Sequence, residues 1–239
     1  MRLDFYLLEN QMARSRSHAQ DLIKRGLVKV NKKVIKKPKY EISDLDVVQM
    51  EKLEDFVSRS ANKLESFLKT LKLQLSGKVC FDIGSSTGGF TQVLLQNNVQ
   101  KVYAIDVGKD QLVQSLKEDS RVVSLEGTDA KKDLPIDQKF DLASIDVSFT
   151  TAKPILLNLL RYANSDAKII LLFKPQFEGD KKTLGPKKIV SPRNSEIIKS
   201  AFQKWLLEHN FKIENYADSV LKGKKGNQES LYLLTFKES

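Results

Sequence analysis

A chain of 239 residues with 41% hydrophobic content can bury a core of one medium domain plus a small one. Its formal net charge of +10 fits a polyanionic partner, an anionic membrane surface or simple solubility. A single cysteine, Cys80, excludes an intramolecular disulfide and a cysteine-rich metal site, and no stretch approaches the roughly 18 apolar residues of a membrane-spanning helix. The opening Met-Arg-Leu-Asp-Phe-Tyr lacks the apolar core of a secretory signal, so a reducing cytoplasm is the expected location.

The charge is unevenly distributed. Residues 1–40 carry eleven Lys and Arg against three acids, a net of +8, which leaves the remainder nearly balanced. Leu3, Tyr6, Leu7 and Asn10 have helical spacing. Ser15 or Ser17 can cap a second helix with Ala19, Leu22 and Ile23 on its apolar side, and Gly26 is placed to end it. Residues 27–30 and 34–36 flank an Asn31-Lys32-Lys33 turn, and residues 47–50 form a later strand. This small α+β unit, carrying Arg2, Arg14, Arg16, Lys24, Arg25 and Lys32, reads either as an RNA-binding domain over residues 1–54 or as a solvated basic face.

Charged residues 51–55 read as a linker, and residues 58–72 place Leu64, Phe67, Leu68 and Leu71 at helical spacing at the start of a second domain, 58–239. Strand-like runs then alternate with helical ones: strand 79–83, helix from Gly88, strand 102–105, helix from Asp110, strands 122–125 and 142–147, helix from Thr151, strand 169–173, helix 194–208. That rhythm predicts an α/β fold with a mostly parallel, Rossmann-like sheet. Residues 211–220 and 231–236 are two strands with no helix between them, which predicts an antiparallel hairpin at the sheet edge, a feature of methyltransferase sheets.

The first strand of this domain runs into Asp82-Ile83-Gly84-Ser85-Ser86-Thr87-Gly88-Gly89-Phe90. Glycines here permit a tight turn and close approach of a ligand to the backbone beside a helix amino terminus, or they merely shape the strand-to-helix turn. The spacing is neither the G-x-G-x-x-G of a pyrophosphate site nor the G-K-[ST] of a P-loop, and so suits S-adenosylmethionine, which lacks pyrophosphate. Expected cofactor contacts are Asp82, Gly84, Ser85, Thr87, Gly88, Gly89 and Phe90, with Asp106 and Val107 at the second strand end. Asp106 is placed for the ribose hydroxyls. Asp129 is placed for the adenine amino group or acts only as a helix cap.

Four further segments stand out: Ser58-Arg59-Ser60-Ala61-Asn62-Lys63-Leu64, Asp146-Val147-Ser148-Phe149, Lys174-Pro175-Gln176-Phe177-Glu178 and Gly226-Asn227-Gln228-Glu229. With the cofactor loop and the basic amino-terminal unit, they resemble the TlyA, or hemolysin A-like, family of rRNA 2′-O-methyltransferases. That resemblance implies an S-four-type RNA-binding domain, an FtsJ-like catalytic domain, and ribosomal RNA or a ribosomal subunit as partner. It also implies a Lys-Asp-Lys-Glu tetrad, carried here by Lys63, Asp146, Lys174 and Glu229. The residue types suit the chemistry, because a ribose hydroxyl is a poor nucleophile that a positioned base activates. Lys174 is the expected base: Lys63 and desolvation favour its neutral form, and the two acids oppose this while orienting the lysines and the hydroxyl. Taken without the resemblance, the same residues could form unrelated surface salt bridges.

No metal is expected, since His18 and His209 are isolated. Residues 179–192, with Lys181, Lys182, Lys187 and Lys188, form a Gly/Pro/Lys loop that could close over RNA. Lys222, Lys224 and Lys225 could hold phosphates or belong to a solvated loop. Three rival readings remain at this level: an RNA-binding assembly factor without turnover, a membrane-active hemolysin, and methylation of a small molecule or base.

Overall fold

The computed structural model describes residues 1–13, 15–24, 26–43, 45–50, 56–180, 189–223 and 225–236. Arg14, Arg25, the expected linker 51–55, Lys224 and four lysines of the Gly/Pro/Lys loop (Lys181, Lys182, Lys187 and Lys188) lie outside the described residues. The chain divides into two compact units, Met1–Asp55 and Phe56–Ser239.

The first unit contains α1 (Leu3–Glu9), α2 (Arg16–Lys24) and the short strands β1 (Val28–Val30), β2 (Lys33–Val34) and β3 (Val48–Met50). The strands form an antiparallel sheet in the order β2-β1-β3. Leu3 and Leu7 from α1, Ala19 and Ile23 from α2, and Val28 and Val30 from β1 share one buried cluster, as the helical and alternating spacings require. The β1–β2 turn is tighter than expected. Asn31 (φ 49°) and Lys32 (φ 67°) both adopt left-handed backbone, giving a two-residue hairpin, so Lys33 already pairs with Val30. Asn31 fixes the turn by accepting from Val47 N at 2.9 Å and donating to Asp46 Oδ1 at 2.5 Å.

The second unit begins with α3 (Arg59–Thr70) and continues through β4 (Val79–Ile83), α4 (Gly89–Gln96), β5 (Lys101–Asp106), α5 (Gln114–Lys117) and β6 (Val122–Glu126). After β7 (Phe140–Ile145) come α6 (Lys153–Leu159), β8 (Ala163–Phe173), α7 (Pro175–Glu178), α8 (Pro192–Glu208), β9 (Phe211–Asp218) and β10 (Ser230–Phe236). Seven strands form one sheet in the order β6-β5-β4-β7-β8-β10-β9. The first five run parallel, and β10 is antiparallel to both β8 and β9. This is the mostly parallel, Rossmann-like sheet with an antiparallel edge hairpin that the strand order predicts.

Alternation along the strands separates two apolar cores. Cys80, Leu142, Leu172, Leu231 and Leu233 pack with Leu64 and Phe67 of α3 and Val93 and Leu94 of α4. Phe81, Ile145, Leu171, Phe173, Tyr232 and Leu234 pack with Leu156 of α6 and Phe202 and Leu206 of α8. The start of α8 follows capping rules: Ser191 Oγ accepts from Asn194 N at 3.2 Å and Pro192 occupies the first helical position.

Several expected boundaries shift for local reasons. The helix expected from Asp110 begins only at Gln114, because Asp110 is left-handed (φ 54°) and the N–H groups of Gln111 and Leu112 are donated to Glu126. Those bonds and one from Lys117, the strongest influence, hold the Glu126 carboxyl down to about 2. The strand expected at 169–173 begins at Ala163, whose first residues pair with β7 across a register shift. Strand β7 ends at Ile145, so Asp146 and Val147 lie just past it. Residues 175–178 form a short helix that periodicity alone does not reveal.

Candidate active site

The order of the sheet reverses between β4 and β7, whose following segments part to opposite sides of the sheet; a crevice opens at such a switch point, outside the carboxyl ends of parallel strands. A cavity of about 590 Å³ lies there. Gly84, Ser85, Ser86 and Thr87 line it from the loop after β4, and Asp146, Ser148 and Phe149 from the segment after β7. Lys174, Gln176 and Phe177 follow β8; Lys63 comes from α3, and Glu229 immediately precedes β10.

All four tetrad residues converge on this cavity as two ion pairs. Lys63 Nζ lies 2.5 Å from Glu229 Oε2, and Lys174 Nζ lies 2.6 Å from Asp146 Oδ1. Both lysines are only 8% exposed and Glu229 only 3%. Each lysine therefore has a carboxylate of its own. Lys174 also donates to Ser148 Oγ at 3.0 Å. Asp146 is held from behind by its backbone, whose N–H donates to Ile83 O at 2.9 Å and extends the β4–β7 pairing by one residue.

The glycine loop supports this arrangement by close packing. Gly84 has φ +81°, and a Cβ there would lie 2.7 Å from the backbone oxygen of Asp146. Gly88 (φ 98°) caps α4 in left-handed backbone, and a Cβ on Gly89 would overlap the Ser58 hydroxyl at the start of α3. Of the expected cofactor residues, Gly84, Ser85, Thr87 and Phe90 line the cavity, whereas Asp82, Gly88, Gly89, Asp106, Val107 and Asp129 do not.

Asp82 lies deeper than the other expected contacts. It is fully buried in β4 beneath the loop, and its oxygens accept from Thr91 Oγ1 at 2.6 Å and Ser144 Oγ at 2.9 Å. Burial pushes its carboxyl up to about 6 against those two hydrogen bonds. Asp106 closes β5, where its carboxylate accepts from Ser86 N at 2.8 Å and Gly108 N at 2.7 Å and so braces the loop. Asp129 accepts from Lys131 N at 3.0 Å in the turn after β6.

Further residues shape the cavity and its surroundings. Phe149 has left-handed backbone (φ 65°) and is 84% exposed, with its ring 5.4 Å from that of Phe177. An exposed aromatic in a costly conformation at a cavity edge is a signal that only coordinates supply. Glu178 ties α7 to the segment before α6 by accepting from Thr151 Oγ1 at 2.5 Å and Ala152 N at 2.7 Å. Arg59, Lys222 and Lys225 add positive charge to the cavity lining. In the first unit, Arg2 and Arg16 meet at Asp4, Lys24 ends α2 exposed, and Lys32 sits in the hairpin turn.

Among the described residues no helix is long and apolar enough to cross a membrane, and no group of three or more His, Cys, Asp or Glu could hold a metal ion. Residues 56–236 match the FtsJ-like methyltransferase family and residues 1–48 match the S4 domain. The chain is 36% identical to a 23S rRNA (cytidine-2′-O)-methyltransferase TlyA from Campylobacter jejuni, over 97% of this chain and 98% of that protein. It is equally 36% identical, with the same coverages, to a hemolysin A from Brachyspira hyodysenteriae. A solved structure of a candidate hemolysin from Streptococcus thermophilus superposes with a TM-score of 0.76 at 32% identity, covering 100% of this chain and 89% of that one.

Proposed function

Because the chain belongs to the TlyA family of FtsJ-like methyltransferases, we propose that it transfers a methyl group from S-adenosylmethionine to a ribose 2′-hydroxyl of ribosomal RNA. The observation that carries this reading is the convergence of Lys63, Asp146, Lys174 and Glu229 on one cavity beside the glycine loop.

The cavity suits the cofactor. Ser85 Oγ and Gln176 Oε1 are buried without a hydrogen-bond partner among the described residues, and both residues line it. A hydroxyl donor and an amide acceptor match the carboxylate and ammonium of a methionine end. Gly84, Thr87 and Phe90 complete that wall. Asp106 and Val107 at the end of β5 and Asp129 after β6 lie on the same edge of the sheet, and we assign them to the ribose and adenine. Bound S-adenosylmethionine supplies an electrophilic methyl group on its sulfonium.

Lys174 is the base that takes the proton of the 2′-hydroxyl, with Asp146 and Ser148 fixing its amine. Lys63 and Glu229 orient the sugar, and the exposed Phe149 ring offers a stacking surface for the target base. Residues 58–239 carry out the transfer, while residues 1–54 supply affinity for RNA phosphates through Arg2, Arg16, Lys24 and Lys32. An rRNA substrate places this work in the cytoplasm.

The test is transfer of labelled methyl groups to purified ribosomal subunits, followed by mapping of 2′-O-methylated positions. Label on a sugar that disappears with Lys174→Ala is the expected result. Binding without labelling, or label on a base, overturns the proposal.

A further inference from the structure

Asp4 lies on α1 in the most basic part of the chain, yet its side chain is 0% exposed. Its carboxylate accepts from Arg2 Nε at 3.0 Å and Arg2 Nη2 at 2.9 Å. It also accepts from Arg16 Nε at 3.2 Å and Gln20 Nε2 at 2.8 Å. The two guanidinium groups lie over the ring of Phe5, with their central carbons 5.3 Å and 4.3 Å from its centroid. Phe5 is 37% exposed and the Arg16 side chain 46%. Two cations around one anion leave the cluster with a net positive charge.

The arrangement is an uneconomical way to stabilise a small core. A buried carboxylate loses hydration, and an apolar residue at the same place would avoid that cost. Burial pushes the Asp4 carboxyl up, but the bonds from Gln20, Arg2 and Arg16 outweigh it, and the group ionises below the usual carboxylate range. What the carboxylate achieves is order. Arg16 uses only its Nε for Asp4, and no partner among the described residues is shown for its two terminal nitrogens, which are phosphate donors. A long side chain already fixed on an aromatic ring loses less entropy on meeting a phosphate than a free one.

Resting on the reading that the first unit binds RNA, we propose that Asp4 is a positioning residue for RNA recognition. It sets Arg2 and Arg16 on the Phe5 ring so that the cluster's positive charge and the terminal nitrogens of Arg16 meet backbone phosphates. An acid in a basic face would otherwise be read as repelling RNA, and this opposition of sign makes the proposal testable.

The full-length protein is titrated against a labelled single-stranded RNA of mixed sequence at several salt concentrations, with thermal unfolding as a folding control. Asp4→Asn removes a negative charge, so simple electrostatics makes binding tighter; the proposal expects it about fivefold weaker, with a shallower salt dependence. In an Arg2→Ala/Arg16→Ala background, Asp4→Asn has no further effect on affinity, because the carboxylate acts through those side chains. A general loss of structure would lower affinity in that background too.

Unchanged or tighter binding by folded Asp4→Asn, when the double arginine variant binds weakly, overturns the role of Asp4 and leaves the RNA reading intact. Full-strength binding by the double arginine variant overturns the RNA reading of this face as well. If Asp4→Asn does not fold, Phe5→Leu decides: it preserves charge and removes the exposed ring, so weaker binding supports the cluster and unchanged binding overturns it.

Discussion

Lys63 and Glu229 meet across 166 residues of sequence, Nζ to Oε2 at 2.5 Å, with both side chains buried. A buried ion pair contributes little net stability, yet breaking one side of it leaves an uncompensated charge. Lys63→Met should therefore destabilise the second unit by about 3–5 kcal/mol. The double variant Lys63→Met/Glu229→Gln should recover most of that loss while remaining inactive. Urea unfolding of the two variants provides the comparison, and equal stabilities would show that the pair is not energetically coupled.

Lys174 has a different partner, and its removal should read out in chemistry. Lys174→Ala is expected to lower methyl transfer by at least about a hundredfold, the low end of general-base effects. Cofactor affinity by calorimetry should stay nearly unchanged. Retained turnover would transfer the role of base to another group.

Phe149 separates function from stability. Its left-handed backbone costs about 1–2 kcal/mol and its ring is largely exposed, so Phe149→Gly should leave the melting temperature unchanged or raise it. Loss of a base-stacking surface, at roughly 1–3 kcal/mol, should weaken productive RNA binding by about tenfold or more. A variant that melts lower but turns over normally would reverse both expectations.

Gly84 and Gly77 have similar left-handed backbones, φ +81° and +76°, in different surroundings. Among the described residues, alanine at Gly77 meets nothing within 4 Å, so only backbone strain of about 1–2 kcal/mol is expected. At Gly84 the methyl group would lie 2.7 Å from Asp146 O and displace the backbone that carries the partner of Lys174. Gly84→Ala should be the less stable variant and should lose methyl transfer, whereas Gly77→Ala should keep it. Comparable activity in the two would show that the loop tolerates the displacement.

Asp82 and Asp4 give opposite pH dependences. Burial raises the Asp82 carboxyl to about 6, so the folded state holds a proton that the unfolded chain releases near 4. Its contribution makes the second unit more stable below about pH 4 and declines as pH rises to about 6, by a total of about 3 kcal/mol. Asp82→Asn should abolish this part of the profile and be at least as stable as the native chain at neutral pH. Asp4, despite its burial, is lowered by Gln20, Arg2 and Arg16, so its stabilisation is present above about pH 4 and lost on further acidification. Unfolding midpoints of native chain and variant across pH 3–8 test the signs; a constant difference for Asp82→Asn would count against its shift.

The alternating apolar runs from Val79 to Phe236 determined the strands, because a sheet residue must face one core or the other, and the glycines after β4 marked where a strand turns into a helix. The excess of Lys and Arg before Tyr40 likewise stands in the sequence without any coordinates. Which carboxylate meets which lysine does not. That pairing follows from sheet order and packing: β10 inserts beside β8 with Ser230 opposite Phe173, which carries Glu229 to the cavity end of the sheet, where Lys63 of α3 meets it. Nor does the sequence show that Asp82, in β4, accepts hydrogen bonds from Thr91 and Ser144. Asp4 looked like one acid among many bases until folding enclosed it between Arg2 and Arg16. Periodicity is a local consequence of backbone geometry and is written into neighbouring residues, whereas the pairing of distant charges is fixed only when the packed sheet and helices set their separation.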